Sequence, residues 1–166
     1  DPSWPVVGIS HDDAQVFCWW RSTVELRSYR LPSKDEWEKA ARGPDGRQYP
    51  WGNAFDPSFC LMRDTRPSGP AIEPVGTVQG DLSPYGVRDM AGLVREWCAG
   101  WDVEGAEWRP ARGGSWLDPK EVCSATSMRG FPPNTTTDNL GFRVLLDLSD
   151  EFGYDDVPVA TLGDEG

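Results

Sequence analysis

The sequence has a single histidine, His11, among 166 residues, and its four cysteines, Cys18, Cys60, Cys98 and Cys123, stand far apart. No C-x-x-C pair is present, so a zinc site of ordinary spacing finds no support. The even cysteine count permits disulfides without requiring them. No apolar run approaches the roughly 18 residues of a membrane span, so no membrane partner is expected. A basic start followed by an apolar core is also missing, so no signal peptide is visible. The chain opens at D-P-S-W as if excised from something larger, which leaves the compartment open with the cytoplasm favoured. There is no internal repeat. Positive charge is scarce at one end: from Asp147 onward lie seven acidic residues and no basic one, so the net charge of −11 leaves only −4 on the first 146 residues. A nearly balanced body with an acidic tail disfavours nucleic acid or an anionic membrane as partner.

What is present in excess is Trp, Gly and Pro, with nine, 18 and 15 copies. That composition suits a loop-rich fold pinned by large aromatic anchors, and the length suits one domain with a sizeable core. Residues 1–146 are expected to form that domain. Residues 147–166 read as a solvated acidic tail, whose Phe152, Tyr154 and Val157 are available to dock on the body or on a partner.

In chain order, W-P-V-V-G-I at 4–9 reads as a short strand. Ser10 caps a helix expected over about 11–22, with Asp12 and Asp13 in its first turn and Ala14, Phe17 and Cys18 at helical spacing. Cys18 falls on the apolar side, as a small core residue, and His11, at the helix start, reads as a surface residue. Thr23 to Arg30 is a connection. Ser33 and Glu36 form a capping box for a second helix, Lys34 to Arg42, with Trp37, Ala40 and Ala41 inward and Gly43 as its stop. An irregular, Gly/Pro-rich stretch then runs to Pro84. A loop so long needs pinning, by aromatic plugs such as Trp51 and Phe55, by metal ions or by its own turns. Residues 86–92 read as a short strand and turn, and 94–101 as a central strand. Two helices followed by a long ordered loop and short strands define an α+β domain.

The stretch from Arg112 to Leu146 organises the end of the chain. R-G-G-S-W opens it, and the alternating Leu140, Phe142, Val144 and Leu146 close it as a half-buried strand would. Between them lies a segment of little apolar periodicity, the layout of a variable loop on a fixed frame.

The motifs P-V-V-G-I-S-x-D-D-A, R-L-P-S-x-x-E-W-E-x-A-A-R-G, Y-P-W-G-N, G-V-x-D-M-A-G, R-E-W and R-G-G-S-W…N-L-G-F-R-V, in this order over about residues 5–146, resemble the formylglycine-generating enzyme (sulfatase-modifying factor) family. The resemblance implies a C-type-lectin-like fold with two helices, short antiparallel strands and long ordered loops. It does not by itself imply one function. The family includes copper-dependent oxidases that convert a sulfatase cysteine to formylglycine and the C-terminal half of iron-dependent sulfoxide synthases. It also includes domains attached to bacterial protein kinases and the hypervariable ligand-binding proteins of diversity-generating retroelements. The family's opening segment of some 60 to 80 residues, which carries a G-x-F-x-M-G motif, is not present. Either the domain is a minimal version, or the chain is cut from a longer one, or a separate polypeptide completes the sheet; in the last two cases an exposed edge or apolar patch is expected for a partner or a dimer mate.

The copper chemistry implied by the family uses two cysteines in the R-G-G-S-W stretch. At the first of those positions this chain has Asp118, at the second Cys123. A hard carboxylate is poorly matched to copper(I), so copper is not expected. The iron chemistry needs a three-histidine site that one His does not supply. The Asn that in the family follows M-A-G and binds calcium is here Leu93, which removes an oxygen ligand. Asn53 and Asp89 remain as calcium oxygens, though turn roles suit both. No cofactor or metal is expected.

Two function classes follow. The first is a non-catalytic module that binds a protein or small-molecule ligand through the segment between Trp116 and Asn139. Trp116, Asp118, Lys120, Met128, Arg129, Phe131 and Asn134, with the threonines 135–137, make up its surface. The second is an oxidoreductase of the formylglycine-generating or sulfoxide-synthase type using Cys123 and Ser115, with Arg129 or Arg112 lowering the thiol pKa.

Overall fold

The computed structural model describes residues 1–101 and 107–149. Helix α1 spans His11–Glu25, and strand β1 (Ser28–Arg30) follows at once. Helix α2 spans Lys34–Arg42, and a long irregular stretch interrupted by a 3-10 turn at Pro57–Phe59 leads to strands β2 (Arg95–Trp97) and β3 (Arg109–Arg112). A second 3-10 turn at Lys120–Val122 precedes β4 (Met128–Phe131), β5 (Leu140–Phe142) and β6 (Leu145–Asp147).

Both helix starts follow from their capping boxes. The Ser10 side chain accepts from the Asp13 amide while the Asp13 carboxylate accepts from the Ser10 amide, and Ser33 and Glu36 repeat the arrangement at α2. Helix α1 runs one turn beyond the expected residue 22. An Arg21–Glu25 pair at 2.9 Å spans that turn, and Ser22 and Thr23 hydroxyls bond back to the carbonyls of Cys18 and Trp19. The Ser22 hydroxyl also accepts the Tyr29 amide at 2.8 Å, which folds the chain back as β1 where only a connection was expected. Gly43 ends α2 at a φ of +69°, and the Pro84 ring sits where a Cβ would be, 2.6 Å away.

Four strands form one sheet in the order β4-β3-β2-β5. The β4–β3 and β3–β2 pairs are antiparallel and the β2–β5 pair is parallel. Strands β1 and β6 form a separate antiparallel ribbon, Tyr29 opposite Leu146. The central strand expected at 94–101 is thus present but short, with both faces buried. On one face Trp97, Ala111 and Leu140 pack with Ala14 and Cys18 of α1 and with Leu31. On the other, Cys98 packs with Trp37 and Ala41 of α2, Met90 and Ala125. The sheet therefore lies between the two helices. Trp37 is fully buried and donates its indole N–H to Glu96 at 2.6 Å, so one side chain fills the core and satisfies a buried carboxylate.

Four expectations need correction. Residues 4–9 form no strand. They lie against the 133–141 segment, but Gly8 takes a φ of +71° that breaks any strand; its amide donates to Thr137 O at 3.0 Å, Val6 O lies 2.3 Å from the position a Gly141 Cβ would take, and Ile9 O accepts the Trp97 indole N–H at 3.1 Å. Residues 86–92 make turns and one isolated bridge, Leu82 to Arg88, because Asp89 and Leu93 adopt φ of +58° and +65°, which ends any strand. The alternating run at 140–146 is cut in two: β5 joins the main sheet and β6 the ribbon. His11 is fully buried, not a surface residue. Its Nε2 donates to Cys98 O at 3.1 Å, its ring meets Trp97 edge-on, and burial lowers its pKa from the usual value.

Trp51 and Phe55 act as plugs of the long loop. Trp51 stacks on Tyr49 with ring centres 5.1 Å apart, and Phe55 tilts against Tyr49 at 5.5 Å. Asp147, expected to belong to the acidic tail, pairs with Ser28 in the ribbon, and its carboxylate holds Arg30 at 3.0 Å. Phe152, Tyr154 and Val157 lie outside the described residues. No helix among the described residues is long and apolar enough to cross a membrane.

Candidate functional site

Strand β3 delivers the chain to Gly113, which takes a φ of +74°, its missing Cβ replaced by the Trp37 ring at 3.2 Å. Gly114 is as tightly enclosed: a Cβ there would lie 2.6 Å from Cys123 Sγ and 3.0 Å from Ala91 O. These two glycines turn the backbone inward and leave Ser115 fully buried.

Ser115 and Asp118 belong to one closed network. The Ser115 hydroxyl donates to one oxygen of Asp118 and accepts from Asn139 Nδ2 at 2.9 Å. The other Asp118 oxygen accepts from Arg95 Nη2 at 2.7 Å, and Arg95 Nη1 reaches Gly113 O at 3.3 Å. The side chains of Arg95 and Asp118 are 5% and 16% exposed, so this is an enclosed ion pair. The carboxylate that accepts the Ser115 hydroxyl is already paired with Arg95, which makes it a weak general base, and Ser115 itself is fully buried, so the serine is not set up as a nucleophile. Arg112 is equally occupied, held by Glu38 at 2.8 Å and by the carbonyls of Lys34 and Thr126, and Arg129 lies over the Phe131 ring at 5.1 Å. Cys123 is buried at the end of the second 3-10 turn, its thiol donating to Pro119 O at 3.6 Å.

The segment from Trp116 to Asn139 is not a free loop, because β4 inside it pairs along β3 as the edge of the main sheet. Trp116, expected to be exposed, is half-buried against Leu61, Val78, Leu93 and Val94 and donates to Asp138 O at 3.3 Å. Lys120 is exposed above Phe55, at 6.0 Å from the ring centre. Met128, Arg129, Phe131 and Asn134 are the residues brought together, along β4 and the turn after it. Met128, Arg129 and Asn134 are exposed. Phe131 is only partly so, since its ring meets Trp97 edge-on at 5.9 Å. Strand alternation turns Met128 to the α2 side and Arg129 and Phe131 to the α1 side.

The two side chains considered for calcium each accept an N–H: Asp89 Oδ2 accepts the Gly76 amide at 2.7 Å, and Asn53 Oδ1 accepts the Gln48 amide at 2.9 Å. Nearby, Glu96 is held by Trp37 and Arg143. Leu93 is 4% exposed in the apolar core. Among the described residues no group of three or more His, Cys, Asp or Glu is placed to hold a metal ion. Burial raises the Asp89 carboxyl above its usual range and pushes Asp81 up to about 7, with one Asp81 oxygen unpartnered and the other accepting the Ala91 amide at 2.9 Å.

Sequence reasoning missed Arg95, Asn139 and Cys60. Arg95 carried a signal, as a basic residue inside a strand read as central, where a buried charge requires a partner. Cys60 and Cys123 gave none, because sixty-odd residues separate them.

An α+β domain with a helix on each face of a mixed sheet, long pinned loops and an R-G-G-S-W turn feeding the core defines the C-type-lectin-like fold. Treponema denticola variable protein 1 has this same fold, superimposing with a TM-score of 0.77 at 21% identity over 86% of this chain and 70% of that one. Residues 1–148 match the model of the sulfatase-modifying factor enzyme 1-like domain, and the chain belongs to that family. It is 36% identical to the bovine inactive C-alpha-formylglycine-generating enzyme 2 over 154 aligned positions, covering 84% of this chain and 49% of that protein. It is 31% identical to the formylglycine-generating enzyme of Thermomonospora curvata over 179 aligned residues, covering 88% of this chain and 56% of that protein. The chain thus spans about half the length of these relatives.

Proposed function

We propose that this domain is a non-catalytic recognition module that binds a protein or small-molecule ligand through the edge strand β4 and the turn after it, with Arg129, Met128 and Asn134 as its exposed contacts. The observation that carries the reading is the state of Asp118. Both its oxygens are engaged, by Arg95 and by Ser115, at the position where the oxidases resembled by this sequence hold a copper-binding cysteine. A carboxylate locked into an enclosed ion pair is a structural part, unfit for soft-metal ligation. The module needs no metal or cofactor in this reading. The inactive bovine relative and the variable protein of the same fold support it. Display on a rigid frame, as in retroelement-diversified or kinase-linked members, is the mode of action we infer.

Two experiments test this. A cysteine-containing sulfatase-type peptide incubated with the domain, copper(I) and oxygen should remain unmodified by mass spectrometry; conversion of its cysteine to formylglycine overturns the reading. Peptides enriched by display against the domain should lose binding to the Arg129→Glu, Asn134→Ala variant while its melting temperature stays within about 2 °C of the parent. Binders that hold the variant as tightly as the parent would remove β4 as the recognition edge. Phe131 is left intact because its contact with Trp97 ties it to the core.

A further inference from the structure

Cys60 and Cys123 meet in one apolar cluster with Met62 and Ala91, walled by Trp51 and Phe55; the Cys60 thiol donates to Ala91 O at 3.5 Å and the Cys123 thiol to Pro119 O at 3.6 Å. Both are fully buried. Each is held from its own side by backbone. Leu61 O accepts the Leu93 amide at 2.9 Å, and it would lie 2.4 Å from a Cβ on Gly92, so the chain around Cys60 is pressed onto the Ala91–Gly92 turn. The Cys123 amide closes the second 3-10 turn on Lys120 O at 3.1 Å, and Gly114 leaves the space its thiol occupies. The other two cysteines are separated by the sheet, Cys18 on the α1 face and Cys98 on the α2 face.

We propose that Cys60 and Cys123 are a redox pair that closes to an intramolecular disulfide, tying the long loop to the turn that carries Asp118 and Lys120. Two thiols give up two protons and two electrons to a small-molecule disulfide, which leaves as two thiols while one S–S bond forms in the protein. This proposal is independent of the recognition reading. The pairing needs little backbone movement, because both thiols already sit in the same small cluster beside Ala91. The neighbouring Cys123 thiol and burial raise the Cys60 thiol above its usual pKa, so in the closed fold that thiol stays protonated and inert. Exchange therefore occurs when the loop opens or during folding, and the product persists in an oxidising compartment. The bond would close a loop of sixty-odd residues, which raises the melting temperature by about 10 °C.

The full chain is refolded from denaturant in a mixture of oxidised and reduced glutathione, the free thiols are alkylated, and the peptides are mapped by mass spectrometry. The expected product has Cys60 joined to Cys123, Cys18 and Cys98 alkylated, and a melting temperature that falls back when a thiol reductant is added. Four alkylated cysteines, a link through Cys18 or Cys98, a glutathione adduct in place of the link, or an oxidised form melting no higher than the reduced one would each overturn the proposal. Because the mapping is done on the parent sequence, it does not depend on whether a Cys60→Ser variant folds.

Discussion

Replacing Asp118 by Ala should cost the domain about 3–5 kcal/mol, the loss seen when one partner of an enclosed ion pair is removed and the other charge stays behind. Arg95 is the charge left behind. Its side chain is 5% exposed, it lies between the buried Val94 and Glu96 in the middle strand of the sheet, and without Asp118 it keeps only Gly113 O, at 3.3 Å. Ser115 loses its acceptor in the same step, which strands a second buried polar group. For a domain of this length each kcal/mol shifts the melting temperature by roughly 2–4 °C, so a fall of about 6–20 °C is expected. Asp118→Asn keeps one acceptor oxygen and should lose less, about 1.5–3 kcal/mol. The double variant Arg95→Met, Asp118→Leu removes both charges and should recover much of the loss, since a well-packed apolar pair often replaces a buried ion pair at no net cost. Urea unfolding followed by tryptophan fluorescence measures all three. A loss below about 1 kcal/mol for Asp118→Ala would mean that the pair behaves as a solvated surface bridge, and the account of Asp118 as a locked structural carboxylate would fail.

Asp81 predicts a pH dependence. Its carboxyl is raised to about 7 by burial, so folding favours the protonated form; that contribution is whole below the unfolded value of 3.8 and is lost as pH rises through about 7. Asp81→Asn removes the titration, so its stability relative to the parent should improve by about 2–3 kcal/mol between pH 5 and pH 8 in urea titrations. A constant difference across that range would refute the raised carboxyl. Gly114→Ala should destabilise by about 1–3 kcal/mol, because its Cβ meets Cys123 Sγ and Ala91 O, and adding Cys123→Ala should return part of that loss. Additive effects in that cycle would show that the two sites do not touch.

The local part of the fold was legible because local chemistry causes it. Both capping boxes, the glycine stop of α2 and the buried Trp37 follow from spacing alone. The extra turn of α1 was not, since it depends on Ser22 meeting Tyr29 across a turn. The run from Leu140 to Leu146 alternates as a single strand does, and nothing in its pattern shows that two different sheets claim its two halves. Residues 4–9 have strand composition, but the left-handed Gly8 interrupts them. His11 misled because its position at a helix start says nothing of the sheet packed over it. In the site, the Asp118 departure was readable from the motif. Its partner Arg95 and the Cys60 contact were not, since both are long-range and no local pattern encodes them. Trp116 shows the remaining limit: an aromatic in a presumed display loop is spent on covering Leu93 and Val94.

The division of the final run between two sheets also orders events in time. Arg95 to Trp97 find their parallel partner only in Leu140 to Phe142, and Ser28 to Arg30 find theirs only in Leu145 to Asp147. A nascent chain that has emerged as far as β4 therefore holds a central strand with one side open and a β1 with no mate. It waits, with two unpaired edges, for the eight residues from Leu140 to Asp147. That one short run therefore completes both sheets.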